Sequence, residues 1–79
     1  MSSITVYSKP ACPQCEFTKR HLTKNNIPFE VVDITQDSDA REAVMALGYT
    51  SAPVVVAGDV HFSGFRPEKL TELGALTAV

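Results

Sequence analysis

Val6-Tyr7-Ser8-Lys9-Pro10-Ala11-Cys12-Pro13-Gln14-Cys15 is the stretch around which the rest of the chain is arranged. It begins apolar and β-rich and ends on C-x-x-C, which holds the only two cysteines in the sequence. Proline costs nothing at the first position of a helix, because the N–H there has no intrahelical partner and the fixed φ suits a helix start. With Pro13 in that place, Cys12 falls at the N-cap. There it faces unpaired backbone N–H groups and the positive end of the helix dipole. Such a setting favours thiolate and lowers a cysteine pKa from its reference of about 8.5. Cys15, one turn inside, reaches the Cys12 sulfur but lacks the same donors. The expectation is that Cys12, exposed at the helix tip, attacks and that Cys15 resolves. Lys9, just upstream, adds positive potential.

Working outward, Ile4-Thr5-Val6-Tyr7-Ser8 reads as the first strand. Pro13 to about Lys24 reads as helix, stopped by Asn25-Asn26 and Pro28. Its apolar residues, Cys15, Phe17 and Leu22 with help from Thr18, are sparse, so its ends define it better than its periodicity. Phe29 to Ile34 reads as a second strand, which suggests a βαβ unit with parallel strands. Asp37-Ser38-Asp39 then offers N-caps. Ala40, Ala43, Val44 and Leu47 follow at i, i+3, i+4, i+7, the clearest amphipathic pattern in the chain, with Gly48 in the left-handed closing position. Val54 to Ala57 reads as a buried strand. Gly58-Asp59 makes a tight turn into a strand over Val60 to Ser63. A last helix starts at Pro67, with Leu70, Leu73 and Leu76 inward and Gly74 weakening it by roughly 1 kcal/mol relative to alanine. The order β-α-β-α-β-β-α fits an α/β fold with a four-stranded mixed sheet flanked by three helices, one domain over residues 1–79.

The composition narrows the functions on offer. A chain of 79 residues has a small core, burying only about 60% of its unfolded surface. Net charge is −2 with no basic cluster, which argues against nucleic acid as a partner, since phosphate binding needs concentrated positive charge. No apolar run approaches the ~20 residues of a membrane span, and Met1-Ser2-Ser3-Ile4 leads straight into a strand without a signal peptide. A cytoplasmic protein and a monomer are expected. In that compartment a lone C-x-x-C points to redox or metal chemistry rather than a structural staple.

The competing reading of the dithiol is half of a zinc site, which needs two more ligands. His21 and His61 are the only histidines. His21 lies roughly 240° around the helix from Cys15 and His61 in a late strand, so no metal is expected. Pro53, after Thr50-Ser51-Ala52, opens a buried strand and removes a ladder donor. It reads either as a simple strand-edge residue or as a cis Ala52–Pro53 bond that leaves the Ala52 backbone free to pair with an extended peptide. In Ser63-Gly64-Phe65-Arg66-Pro67, Arg66 reads as solvated, as a contact to an acidic partner, or as an internal tie for this loop.

These segments together resemble the thioredoxin/glutaredoxin-like fold, and more narrowly the NrdH-redoxins, over essentially the whole chain. The resemblance rests on Val6 to Cys12 with Gln14-Cys15, on Ala46-Leu47-Gly48-Tyr49, on Ala52-Pro53-Val54-Val55-Val56, and on Ser63-Gly64-Phe65-Arg66-Pro67. It implies a cis Ala52–Pro53 bond. It also implies a glutaredoxin-like fold with thioredoxin-like activity: reduction by thioredoxin reductase, with NADPH used only indirectly, and electron donation to the large subunit of class Ib ribonucleotide reductase. No bound cofactor is implied beyond a reversible Cys12–Cys15 disulfide. The partner surface so implied comprises Lys9, Pro13, Gln14, Ala52, Pro53, Gly64, Phe65 and Arg66. Two residues depart from the family pattern. Pro13 stands where these redoxins more often carry an apolar residue and glutaredoxins carry proline. Phe62 stands where they have tryptophan, so an indole hydrogen bond is not available.

A glutathione-dependent glutaredoxin remains the alternative. That tripeptide needs cationic or backbone anchors for its carboxylates. Lys9 matches one such anchor, whereas Phe65 fills the place where open backbone amides would be needed.

Overall fold

The computed structural model describes residues 4–77, the last three of these by their backbone. The elements run β1 (Ile4–Ser8), α1 (Pro13–Lys24), β2 (Glu30–Asp33), α2 (Ser38–Ala46), β3 (Val54–Ala57), β4 (Val60–Ser63) and α3 (Pro67–Thr77). This is the thioredoxin/glutaredoxin arrangement expected from the sequence. The sheet has the order β2-β1-β3-β4. β1 pairs parallel with β2 and antiparallel with β3, and β3 pairs antiparallel with β4. β2 is an edge strand and shorter than the apolar run suggested. Its flanks Phe29 and Ile34 fall outside it, although the Ile34 N–H still donates to the Ser8 carbonyl at 2.9 Å.

Side-chain alternation across the paired strands fixes the core. Val6 lies opposite Val55, and Val55 opposite Phe62, so Ile4, Val6, Val55, Ala57 and Phe62 share one face. Leu22 of α1 and Leu70 and Leu73 of α3 close over that face, with Ile27 completing the cluster. Val54, on the other face, is also fully buried. Among the described residues no helix is long and apolar enough to cross a membrane.

The helices end where local chemistry says they should. At the end of α1 the Asn26 N–H donates to Thr23 O and the Ile27 N–H to Leu22 O, at 3.1 and 2.9 Å, with Asn26 at φ 57. This is a Schellman closure, and its hydrophobic partners Leu22 and Ile27 meet in the core. α2 is capped by Asp37, whose Oδ1 accepts the Ala40 N–H at 3.0 Å, and is closed by Gly48 at φ 94. At the end of β2, the Thr35 hydroxyl and the Thr35 backbone N–H both donate to Asp33. Those bonds hold the exposed Asp33 carboxyl below the usual carboxylate range.

The burial of the first two helices reverses the expectation. α2, with the regular apolar stripe, buries only Val44, while Ala43 is exposed and Leu47 is 43% exposed. α1, with the sparse pattern, buries Cys15, Thr18 and Leu22. Phe17 is not an inward residue and is 48% exposed. The reason is where each helix lands: α1 and α3 pack on each other over one sheet face, and among the described residues α2 makes no comparable packing against another helix.

Gly74 also differs from expectation. A Cβ built there would sit 2.5 Å from Ile27 Cδ1 and 3.0 Å from Cγ1, so this glycine permits close packing rather than only weakening α3. Gly74→Ala is expected to lower stability by about 1 kcal/mol, since overpacking outweighs the helix-propensity gain. Ile27→Val, which removes Cδ1, should recover much of that loss. Urea unfolding of the single and double variants checks this, and additive effects would show that the two sites do not meet. Leu76, expected on the same inner face, has a side chain outside the described residues, as have Met1 to Ser3 altogether.

Candidate functional site

Cys12 takes the N-cap position of α1 with extended backbone angles (φ −119, ψ 98), and Pro13 is the first helical residue. The Cys15 backbone N–H donates to the Cys12 Sγ at 3.2 Å. The Cys12 carbonyl accepts the Glu16 N–H at 3.2 Å, opening the helix. A helix start built this way presents one sulfur to the free amides of the first turn and keeps the other inside it. The two sulfurs form a disulfide across a Cα–Cα distance of 5.2 Å, within the ordinary range for such a bridge. The pair is a redox-active dithiol/disulfide centre.

Cys12 is 8% exposed and Cys15 1%. Cys12 is therefore not open at the helix tip as the sequence suggested. Its sulfur is turned onto the Cys15 amide and bonded to the Cys15 sulfur, so only a margin of the residue reaches solvent. It is still the more accessible of the two. Thr18, fully buried one turn beyond Gln14, donates its hydroxyl to the Gln14 carbonyl at 2.9 Å. That bond braces the first turn from within and pairs the buried Thr18 hydroxyl.

Residues far apart in the chain converge on this helix start. The Ala52–Pro53 bond is cis and Pro53 is buried. The Pro53 carbonyl accepts the Gly64 N–H at 2.9 Å, and Gly64 adopts φ 82, which a side chain would resist. The Phe65 N–H donates to Gln14 Oε1 at 3.2 Å. Arg66 Nε donates to the Ser63 carbonyl at 3.2 Å while the residue stays exposed, so the internal loop tie and the solvated reading both hold. The Phe65 ring meets Phe17, with centroids 5.9 Å apart, and His21 at 6.1 Å. Gln14, Pro53, Gly64 and Phe65 are thus wired into one patch with the dithiol, and Arg66 braces the loop behind it. Lys9 and Pro13 are exposed and Ala52 is half-buried.

His21 lies 3.4 Å from the Thr71 hydroxyl and His61 2.6 Å from the Tyr49 hydroxyl. Neither makes a contact with the cysteines, and the described residues hold no cluster of three or more metal-ligating side chains. Phe62 keeps the packing role of the expected tryptophan at 5% exposure, with Lys69 Nζ 5.9 Å from its ring centroid. Two features gave no sequence signal: Ala11, at φ 56 just before Cys12, and Gln14 reaching Phe65. The surface position of Phe17 was readable, because it falls off the helical line through Cys15, Thr18 and Leu22.

Comparison with known proteins agrees with this geometry. The glutaredoxin family profile matches residues 4–62. The glutaredoxin-like protein NrdH of Escherichia coli K12 is 40% identical over 70 residues, covering 89% of this chain and 86% of its own. NrdH of Lactococcus lactis subsp. lactis is 40% identical over 70 residues, covering 89% and 97%. The solved structure of the Escherichia coli NrdH-redoxin, described as having a thioredoxin-like activity profile, superposes with a TM-score of 0.86 at 39% identity. It covers 90% of this chain and 93% of that one.

Proposed function

The chain belongs to the glutaredoxin family, among its NrdH-redoxins, and on that premise we propose that residues 1–79 act as one domain, a dithiol electron carrier fed by thioredoxin reductase. Its proposed client is the large subunit of class Ib ribonucleotide reductase, and its proposed place is the cytosol, where thiols are kept reduced. The observation that carries this reading is the N-cap geometry: the Cys12 sulfur accepts the Cys15 N–H and pairs with the Cys15 sulfur.

In the reduced protein the same amide and the helix dipole favour a Cys12 thiolate. That thiolate attacks one sulfur of the client disulfide. The client S–S bond breaks, its other sulfur leaves as thiolate and takes a proton, and a mixed disulfide forms. Cys15 then loses its proton and attacks the Cys12 Sγ. The mixed disulfide breaks, the second client thiol is released, and the Cys12–Cys15 bond closes. Two electrons have passed to the client, and thioredoxin reductase returns them from NADPH.

Lys9, Pro13, Gln14, Ala52, Pro53, Gly64, Phe65 and Arg66 form the proposed partner surface. The Ala52 backbone, just ahead of β3, is where an extended client segment would pair. The half-exposed Phe17 beside Phe65 extends that surface with apolar area.

The test supplies NADPH with either thioredoxin reductase or glutathione plus glutathione reductase, and follows insulin disulfide reduction. Turnover is expected to be at least about tenfold faster in the first arm, a difference of roughly 1.4 kcal/mol in barrier. Faster turnover in the glutathione arm would replace this reading with a glutathione-dependent glutaredoxin.

A further inference from the structure

The amide that faces the Cys12 sulfur belongs to a peptide group that is held from its other side as well. Its N–H is that of Cys15, which donates to the Cys12 Sγ at 3.2 Å. Its carbonyl is that of Gln14, which accepts the Thr18 hydroxyl at 2.9 Å. Within α1 the Gln14 carbonyl is the ordinary acceptor for the N–H four residues on, so the hydroxyl is its second donor. Back-bonds of this kind are common for threonine in helices. Here the bond falls on the peptide unit whose N–H meets the sulfur. Thr18 is 0% exposed, so water does not compete for its hydroxyl.

A peptide group is a resonance unit. A donor at its oxygen draws electron density there and leaves the N–H more positive. Hydrogen bonds in a chain therefore polarise one another, by about 10–30% per bond. The chain in this protein runs from the Thr18 O–H to the Gln14 carbonyl, and from the Cys15 N–H to the Cys12 Sγ. A thiolate gains more from the strengthened N–H than a neutral disulfide sulfur does, because a bond to an anion is the stronger one.

We propose that Thr18 is a positioning residue for the disulfide exchange: its buried hydroxyl, acting through the Gln14–Cys15 peptide, strengthens the N–H that holds the Cys12 thiolate. This rests on the reading above, with Cys12 as the attacking sulfur, and deepens it by naming a group behind the helix start that sets how readily that sulfur ionises. The same effect favours the reduced protein over the oxidised one in exchange with another dithiol.

A charge-assisted bond moves an equilibrium about ten- to a hundredfold. Ten to thirty per cent of that, on a logarithmic scale, is a shift of about 0.1–0.6 pH units. Two substitutions separate the hydroxyl from the packing. Thr18→Val keeps the branched shape and removes the hydroxyl, and the Gln14 carbonyl retains its helical partner. Thr18→Ser keeps the hydroxyl and removes a buried methyl group.

The experiment follows the rate of Cys12 alkylation by iodoacetamide against pH in the reduced proteins, with the modified residue identified by mass spectrometry. The midpoint is expected to rise by about 0.3 units in Thr18→Val and to stay within about 0.1 unit of wild type in Thr18→Ser. Stability in urea should follow the other order, with Thr18→Ser losing more than Thr18→Val, because only serine leaves a cavity. In equilibrium with a reference dithiol couple, Thr18→Val should be about twofold more oxidised than wild type, and Thr18→Ser unchanged. The charged groups near the helix start are the same in all three proteins: Lys9, Asp33, Arg66, and Glu16 with its partner Lys19 at 2.9 Å. A difference between the variants therefore belongs to the hydroxyl.

Equal midpoints in Thr18→Val and wild type, or a shift in Thr18→Ser as large as that in Thr18→Val, would overturn the proposal and leave Cys12 as the attacking sulfur. Preferential alkylation of Cys15 in the wild type would overturn the assignment of roles and the proposal with it, so the two failures are told apart.

Discussion

Cys12→Ser is expected to reduce disulfide-reductase turnover to the uncatalysed level, a loss of at least about a thousandfold on the scale seen when a covalent nucleophile is removed. The hydroxyl that replaces the thiol is not ionised near neutrality, and the N-cap amide that stabilises a sulfur anion cannot supply the missing nucleophile. Cys15→Ser is expected to behave differently. The first exchange still occurs, because Cys12 keeps its cap position and its margin of solvent access. The second does not, so a stable mixed disulfide accumulates between Cys12 and the client. Steady-state insulin reduction with thioredoxin reductase measures the first effect, and intact mass spectrometry of the quenched reaction measures the second. Burial supports this order of events: the 1% exposure of Cys15 lets it reach the neighbouring sulfur but not a sulfur on another protein. If Cys15→Ser lost the first exchange while Cys12→Ser trapped the client, the two roles would be reversed.

Leu22→Ala is expected to have the largest effect on stability. Leu22 is 0% exposed and packs with Ile4, Val6, Ile27, Val55, Leu70 and Leu73 in the single cluster between α1, α3 and the sheet. Truncating a buried leucine costs about 2–5 kcal/mol, the lost transfer energy plus the cavity left behind. A middle value of about 3 kcal/mol would lower the melting temperature by roughly 15 °C in a domain this small. It would also consume a large part of a total stability expected at about 4–12 kcal/mol for this length. The Leu22 side chain also packs with Ile27 where α1 closes, so the same substitution loosens that helix end. Phe17→Ala, on the same helix but half-exposed, is the contrast, with an expected loss below about 1 kcal/mol. Urea titration of the oxidised proteins compares them, and equal losses would mean that α1 does not bury the face described.

The dithiol was legible because its physics is local. Pro13 at the first helical position, Cys12 at the cap and Cys15 one turn in follow from spacing alone, and the structure places them so. The end of α1, both ends of α2 and the start of α3 were legible for the same reason, through the Asn25-Asn26 pair, the Asp37-Ser38-Asp39 run, Gly48 and Pro67. What local reading missed was how each element is covered. The apolar stripe of α2 is more regular than that of α1, yet α1 carries the core, because α3 returns from the far end of the chain to lie beside it. Cys12 was expected open and is nearly covered, because its sulfur turns inward onto the first turn of its own helix.

The amino-acid sequence by itself determined the order of elements, the position of the sulfur pair, the Cys12 cap of α1 and the Gly48 closure of α2, all set by neighbours within a turn or two. Tertiary structure alone decided that Gln14 meets Phe65, that Gly74 makes room for Ile27, and that Pro53 and Gly64 are tied by one hydrogen bond. Those pairings cross large separations along the chain. The Gln14–Phe65 and Pro53–Gly64 pairings exist because the β2-β1-β3-β4 order brings the start of α1, the head of β3 and the tail of β4 to the same end of the sheet, and Gly74 meets Ile27 because α3 packs against α1.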